Sequence, residues 1–248
     1  MIDWRIHHKA ETASTNLDAR GGLHGDVFTA DFQTAGRGRL DHKWLSPPGT
    51  NLMMSVVLSV EGLAAEQVST LPLVAGLSVV QALSGMVGRS VPDRRGAQGT
   101  ARPAVQLKWP NDVLIGGKKI AGILCERNGD AVIAGIGVNV GQTEFPVEIA
   151  ARATSLAAVG GDADSTIVRD AVLDELDKWY EVWRESGFAA VYPEIAAMDF
   201  LKGCEIAVRQ TDDDSAPVSG VSNGIMPDGS LDVGGTKVYA GEAHVEKL

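Results

Sequence analysis

The feature that most constrains this chain is a short loop in which two glycines alternate with two arginines, Gly36-Arg37-Gly38-Arg39. Residues 27–33 before it alternate apolar and polar side chains, and residues 51–60 after it are mostly apolar, so both read as strands. The sequence therefore predicts a loop that a sheet holds at both ends. Glycine lets a backbone approach an anion closely, and arginine offers a planar set of donors that fits carboxylate or phosphate. We expect an anionic ligand here, and the nearby ring of Trp44 suits a nucleotide.

The charge of the whole chain restricts the class of partner. The 248 residues include 22 Lys and Arg and 32 Asp and Glu, which gives a formal net charge of -10 and a pI near 4.9. A solvated basic loop is the plain alternative, and Gly-Arg repeats also occur in RNA-binding segments, but a nucleic-acid binder usually presents a basic face. Positive charge confined to one loop favours a small anion in a cleft. We therefore expect no nucleic acid as a partner.

Cysteine content and the N-terminus indicate a cytoplasmic protein. Cys125 and Cys204 lie far apart and provide no disulfide framework. The first residues lack the apolar core of a signal peptide, and we expect no apolar run near the ~20 residues that span a bilayer. The sequence thus predicts neither export nor a membrane partner.

Two textures along the chain predict two domains. Residues 1–200 combine strand-like runs with a core helix at 71–87 and an amphipathic helix at 166–185, which indicates an α/β (α+β) domain with a mixed sheet. Residues 201–248 hold short β-rich runs between turn-forming residues and predict a small antiparallel barrel. A segment at 93–103, rich in Arg, Gly and Pro, is predicted to be a mobile insertion.

A second polar cluster, Lys108-Trp109-Pro110-Asn111-Asp112, ends a predicted strand. It offers a cation, a ring and two side chains able to bind a metal or a ligand, although Asn-Asp after proline is also an ordinary turn signature. Lys119 follows a few residues later, and Asn139 places an amide in an apolar strand, where it needs a partner such as a purine edge. With the arginine loop, these residues predict a single site.

In these segments the chain resembles the biotin–protein ligases, which make biotinyl-adenylate from biotin and ATP and pass biotin to a lysine of a carrier domain. The resemblance covers almost the whole length. It implies a mixed-sheet catalytic domain of the biotin/lipoate ligase type followed by a small SH3-like β-barrel. The first matching segment begins almost at the start, so we expect no DNA-binding domain, and residues 94–103 depart from the family pattern. The matching segments are Ser14-Thr15-Asn16, residues 33–39 with Trp44, and residues 108–112, 119–124 and 135–139.

The resemblance also implies roles for individual residues. Lys119 would bridge the biotin carboxylate and the α-phosphate, and Arg37 and Arg39 would bind the phosphate region. The implied catalytic set is Lys119, Arg39, Arg37, Asp112, Asn111 and Lys108. The implied biotin pocket is Ser14, Thr15, Asn16, Gln33, Gly36, Arg37, Arg39, Lys119, Gly122 and Ile123. The implied ATP site is Arg37, Arg39, Trp44, Lys108, Asn111, Lys119 and Asn139, with Trp44 stacked on adenine.

Structural roles compete with some of these assignments. Ser14 or Thr15 could cap a short helix, and Trp44 could pack in place of stacking. Mg²⁺ is expected with ATP, with Asp112 as its candidate ligand, and Asp112 could alternatively serve as a base for the carrier lysine. Residues 34–50 are expected to be mobile without ligands.

The expected partner is the biotin carboxyl carrier domain of an acetyl- or acyl-CoA carboxylase, bound by a monomer or weak homodimer. A lipoate or octanoate ligase or transferase is the alternative enzyme, because it shares the fold and a similar lysine motif. Its apolar acyl tunnel would not require polar ring contacts. A biotin-sensing regulator is disfavoured by the acidic pI.

Overall fold

A computed structural model describes residues 1–40, 42–87, 105–161, 164–210 and 216–247, so the predicted insertion at 93–103 lies outside the described residues. One sheet contains β1 (Arg5–Thr12), β2 (Asp26–Gln33), β3 (Leu52–Ser59), β4 (Val105–Lys108), β5 (Asp112–Ile115), β6 (Lys118–Asn128) and β7 (Ala131–Val138). A second contains β8 (Glu205–Arg209), β9 (Val218–Ile225), β10 (Leu231–Val233), β11 (Thr236–Val238) and β12 (Glu242–Lys247). The helices are α1 (Thr15–Asp18), α2 (Ala65–Val68), α3 (Leu71–Ser84), α4 (Ser165–Ser186) and α5 (Phe188–Ala197).

The larger sheet is mixed, as the sequence predicts. Its strands lie in the order β1-β2-β3-β7-β6-β5-β4, with β1 parallel to β2 and the remaining neighbours antiparallel. The arginine loop joins β2 to β3, which pair directly. The loop is therefore held at both ends by adjacent strands near the centre of the sheet.

Helix α3 forms the core against this sheet and α4. It is apolar on nearly every side because both partners cover it, and 11 of its residues are buried. A Cβ at Gly76 would lie 2.5 Å from Leu107 of β4, so glycine permits the close approach of helix and sheet. In α4, Val172, Leu176 and Trp183 are fully buried at helical spacing, so the apolar face of this amphipathic helix belongs to the core.

Residues of α2 and α3 correct one expectation. The stretch Ala65–Ser84 has the length and apolar composition of a membrane span, with a mean hydropathy of 1.3. The expectation that no run approaches such a length is therefore wrong. In the fold, 67% of the most apolar 18-residue window of this stretch is buried inside the protein, as a core helix would be. Length and composition alone do not separate the two cases.

The second sheet is joined to the first by buried polar contacts. The carboxylate of Asp199 accepts hydrogen bonds from the backbone N–H groups of Leu201 and Ile225, at 2.9 and 2.8 Å. Burial raises the pKa of Asp199, although these bonds oppose the shift. The indole of Trp109 donates to the Gly229 carbonyl at 3.1 Å. These contacts fix the small sheet beside the end of β4.

Helix α5 and strand β12 are absent from the sequence predictions, as is the short helix α2. Helix α5 contains Pro193 and is short, so its helical pattern is weak. Strand β12 is a short run that charged residues interrupt, and it becomes a strand by pairing with β8. Strand β12 matters for the site because it lies beside the arginine loop, where His42 Nε2 is 3.2 Å from the Glu242 carboxylate.

Candidate active site

A cavity of about 650 Å³ opens between the arginine loop, the larger sheet and β12. Its wall brings together almost all residues that the sequence predicts for the site. These are Ser14, Thr15, Asn16, Gln33, Arg37, Arg39, Trp44, Lys108, Asn111, Asp112, Lys119, Gly122, Ile123 and Asn139. Gly36 lines an adjoining cavity of about 720 Å³ that shares the loop as a wall.

The arginine loop folds as a narrow hairpin. Arg37 and Lys43 form a β-bridge, and the Trp44 N–H donates to the Gly36 carbonyl at 3.0 Å. A Cβ at Gly36 would lie 2.4 Å from the Trp44 carbonyl oxygen, and one at Gly38 would lie 3.1 Å from the His42 carbonyl oxygen. The two glycines are therefore needed because the hairpin strands approach too closely for side chains.

The two arginines have different surroundings. Arg37 donates to the Glu126 carboxylate at 2.9 Å. Arg39 donates to the Asn111 side-chain oxygen at 3.3 Å and to the Gly241 carbonyl at 3.2 Å. Burial lowers the pKa of Arg39, with Glu242 opposing the shift. Among the described residues no carboxylate forms an ion pair with Arg39, so its charge is free to meet an anionic ligand.

Two lysines face Asp112. The Lys119 ammonium lies 2.6 Å from the Asp112 carboxylate and 5.9 Å from the centre of the Trp44 ring. Burial lowers the pKa of Lys108, and Asp112 opposes that shift. In the described ranges no group of three His, Cys, Asp or Glu is placed to hold a metal ion. Asp112 and Glu242 thus lie among more numerous cations, which leaves the cavity wall with an excess of positive charge.

Ser14 and the first residues of α1 supply a polar floor. Ser14 forms no side-chain cap bond, so the capping role considered for it is not observed. The Thr15 N–H donates to the Gln33 side-chain oxygen at 2.8 Å, and the Thr15 hydroxyl lies 3.2 Å from the same oxygen. Asn16 donates to Glu126 at 2.7 Å. The polar side chains of this segment therefore point to the cavity floor.

Trp44 packs on the sheet with one polar atom unpaired. A Cβ at Gly137 would lie 2.6 Å from the indole, and one at Gly122 would lie 3.3 Å from it. Its Nε1 is buried, and within the described part of the chain it has no hydrogen-bond partner. Such an orphan donor in a cavity wall points to a ligand acceptor. Asn139, beyond the end of β7, already donates to the Thr154 carbonyl at 3.0 Å.

Three contributors to the site were missed from the sequence: Glu126, Ser55 and Glu242. Ser55 lies in a strand that reads only as apolar, and Glu126 lies near the exposed end of β6. Glu242 belongs to the second sheet. No local pattern marks these residues, because their partners are distant in sequence.

Comparison with known proteins places the fold and site in one class of enzyme. The model of the biotin/lipoate A/B protein ligase family matches residues 12–142, more than half of the chain. The chain belongs to this family, and the fold class predicted from the sequence is confirmed.

The relatives indicate the branch within the family. Biotin–[acetyl-CoA-carboxylase] ligase of Mycobacterium tuberculosis is 33% identical over 99% of this chain and 90% of its own length. The protein of the same name from Paracoccus denitrificans is 34% identical over 90% of this chain and 91% of its own. The biotin protein ligase of Aquifex aeolicus, solved with biotin and ATP, superposes with a TM-score of 0.81 at 31% identity, covering 98% of this chain and 99% of its own. The predicted resemblance to biotin–protein ligases is thereby confirmed.

Proposed function

We propose that this protein condenses biotin with ATP to form biotinyl-5′-AMP and pyrophosphate, and then transfers biotin to a lysine of a biotin carboxyl carrier domain. One observation carries the proposal: Arg39, Lys108 and Lys119, from three separate segments, line a single cavity. The activity agrees with the names of the relatives that match nearly the whole chain.

The first step joins two anions. A carboxylate oxygen of biotin attacks the α-phosphorus of ATP, the bond to the β-phosphate oxygen breaks, and pyrophosphate leaves with the electron pair. Charge accumulates on the phosphate oxygens, so preorganised cations lower the barrier. Lys119 bridges the two reacting groups, while Arg39 supplies a guanidinium that no carboxylate neutralises among the described residues. Glu126 fixes Arg37 at the edge of the loop.

The two ends of the intermediate occupy different walls. Thr15 and Gln33 offer polar atoms on the floor for the ureido ring of biotin. Trp44, which lies against Gly137, provides a flat face for adenine, and Asn139 provides an amide. A polar floor fits biotin better than the apolar chain of lipoate, which supports the biotin branch.

Mg²⁺ would bind to this site together with ATP. Mg²⁺ keeps several waters and binds one or two carboxylates plus substrate phosphates, and when bound it neutralises phosphate charge. Asn111 and Asp112 offer oxygen atoms of the type it prefers and would hold it. In the described residues Asp112 is paired with Lys119, so this carboxylate also orients the lysine.

Transfer requires a neutral amine from the carrier lysine. An unperturbed lysine has a pKa of about 10.4 and is mostly charged at neutral pH. The carboxylate of Asp112 can accept its proton, after which the amine attacks the biotinyl carbonyl and AMP leaves. Water would hydrolyse the mixed anhydride, so we propose that residues 34–50 are mobile in the free protein and order over bound ligands.

We also propose a domain organisation, a cellular location and an oligomeric state. Residues 1–200 form the catalytic domain and residues 201–248 the SH3-like barrel, supported by the separate second sheet. The protein acts in the cytoplasm as a monomer or weak homodimer and without nucleic acid, in keeping with a net charge of -10.

The test is labelling of an isolated carrier domain. The purified protein, ATP, Mg²⁺ and biotin should add one biotin to one carrier lysine, detected by mass spectrometry. Lipoate in place of biotin should give no adduct. Calorimetric titration of both acids in the presence of a non-hydrolysable ATP analogue tests the same choice by binding. Tighter binding and transfer of lipoate would overturn the biotin assignment in favour of the lipoate branch.

A further inference from the structure

Ser55 connects two buried polar side chains of the cavity floor, those of Thr15 and Asn16. It lies in β3, is fully buried, and its Oγ lies 2.7 Å from the Thr15 hydroxyl and 2.6 Å from the Asn16 side-chain oxygen. A hydroxyl carries one proton and can donate it to only one acceptor at a time. The Ser55 hydroxyl must therefore donate a hydrogen bond in one of these two contacts and accept one in the other.

The orientation of Asn16 decides which direction applies. Its Nδ2 lies 2.7 Å from Glu126 Oε2, an acceptor that also binds Arg37 through its other oxygen. An amide is assigned from such a network, because exchanging its oxygen and nitrogen would set two acceptors together. The Asn16 oxygen therefore faces Ser55. Gly135 makes room for it, since a Cβ there would lie 2.2 Å from this oxygen.

The rest of the chain of hydrogen bonds follows. Because the Asn16 oxygen can only accept, Ser55 donates its single proton to it. Thr15 must then donate its own proton to Ser55 across the 2.7 Å contact, or two lone pairs would face each other. The Gln33 side-chain oxygen is more distant, at 3.2 Å, and already accepts a hydrogen bond from the Thr15 N–H. Thr15 is thus left with only lone pairs to present to the cavity.

We propose that Ser55 is a specificity-determining residue that holds the Thr15 hydroxyl as a hydrogen-bond acceptor, so that the site selects a ligand with an N–H group at this point. The proposal rests on the proposed function, in which that N–H belongs to the ureido ring of biotin. Ser55 does not touch the ligand in this scheme. It acts through Thr15, as a positioning residue.

The test compares biotin with two cyclic carbamate analogues, in each of which one ring N–H is replaced by an oxygen. The analogue that sets its oxygen against Thr15 should bind the unaltered protein about 10- to 100-fold more weakly than biotin, since it leaves acceptors facing each other. In Ser55→Ala, the Thr15 hydroxyl is free to turn and donate. The dissociation constant of this analogue should then exceed that of biotin by only a few-fold.

A ratio is used because it cancels any general loss of affinity. Ser78→Ala is the matched control: Ser78 is also fully buried, but its hydroxyl donates to Val74 inside α3, so the ratio should stay as in the unaltered protein. Calorimetry gives the constants, and circular dichroism checks the fold. An equal ratio in Ser55→Ala and the unaltered protein, or no discrimination in either, would overturn the role of Ser55 alone. Failure of the unaltered protein to bind biotin would overturn the proposed function as well.

Discussion

The ammonium of Lys119 lies 2.6 Å from the carboxylate of Asp112 inside the cavity, although the register of β5 and β6 sets Asp112 opposite Gly122. The lysine side chain therefore reaches back along the strand towards the start of β5. A carboxylate at this distance pairs with the ammonium and limits the orientations of the lysine side chain. Lys119 is thus presented to a ligand as a fixed cation.

Replacement of this lysine tests the adenylation step. Lys119→Ala should reduce biotin-dependent pyrophosphate release by at least about 100-fold, because a preorganised charge at the reacting atoms is worth about 2.7–4 kcal/mol. The fold should persist, since the side chain is 37% exposed. The neighbouring exposed Lys118 provides the control, and Lys118→Ala should remain active. Near-normal release by the Lys119 variant would refute its role.

The contact between Gly137 and Trp44 leads to a prediction for ATP. A Cβ at Gly137 would lie 2.6 Å from the indole ring, so Gly137→Ala should displace Trp44. If the ring stacks on adenine, a contact worth about 1–3 kcal/mol is disturbed, and the KM for ATP should rise about 5- to 100-fold. Gly21→Ala is a suitable control, because no atom lies within 4 Å of a Cβ there. An unchanged KM for ATP would mean that Trp44 only packs.

Local patterns were sufficient to predict the framework of the site. Alternation of apolar and polar residues predicted β2, a mostly apolar run predicted β3, and helical spacing predicted α4, because each pattern depends on neighbours along the chain. The arginine loop between β2 and β3 was predicted for the same reason. What these patterns fix is the position of each segment, not its tertiary partner.

The partners themselves could not be predicted, because they depend on topology. Arg37 meets Glu126 across 89 residues, and Arg39 meets Gly241 across 202. Sequence separation of this size leaves no periodic signal. The sequence of the second sheet accordingly did not indicate that this sheet contacts the arginine loop. The direction of the hydrogen bonds through Ser55 could be assigned only from its contacts with both Thr15 and Asn16.

Removal of Arg39 should affect retention of the intermediate more than its formation. Arg39 links the loop to Asn111 and to the Gly241 carbonyl of the second sheet, and its charge faces the cavity. Arg39→Gly should therefore release activated biotin, seen as a several-fold increase in labelling of lysines on a bystander protein such as albumin. Arg127→Gly alters an exposed arginine of β6 and should not increase it. Bystander labelling equal to that of the unaltered protein would contradict this assignment.

Asp26 provides a pH-dependent test of stability at the edge of the larger sheet. Burial acts to raise its pKa, but hydrogen bonds from the Leu23 N–H, His7 and Arg5 outweigh burial and lower the pKa from 3.8 to about 2. A carboxylate whose pKa is lowered by folding stabilises the fold at pH values above its pKa in the unfolded chain. This contribution is lost as the pH falls from about 4 towards 2.

Asp26→Asn should consequently lower the free energy of unfolding by about 1–2 kcal/mol at pH 7, and the difference from the unaltered protein should shrink between pH 4 and pH 2. Urea denaturation followed by circular dichroism at several pH values measures both quantities. Asp174→Asn removes an exposed carboxylate of α4 and should show no such dependence. A deficit of the Asp26 variant that stays constant from pH 7 to pH 2 would show that its hydrogen bonds stabilise the fold independently of the charge.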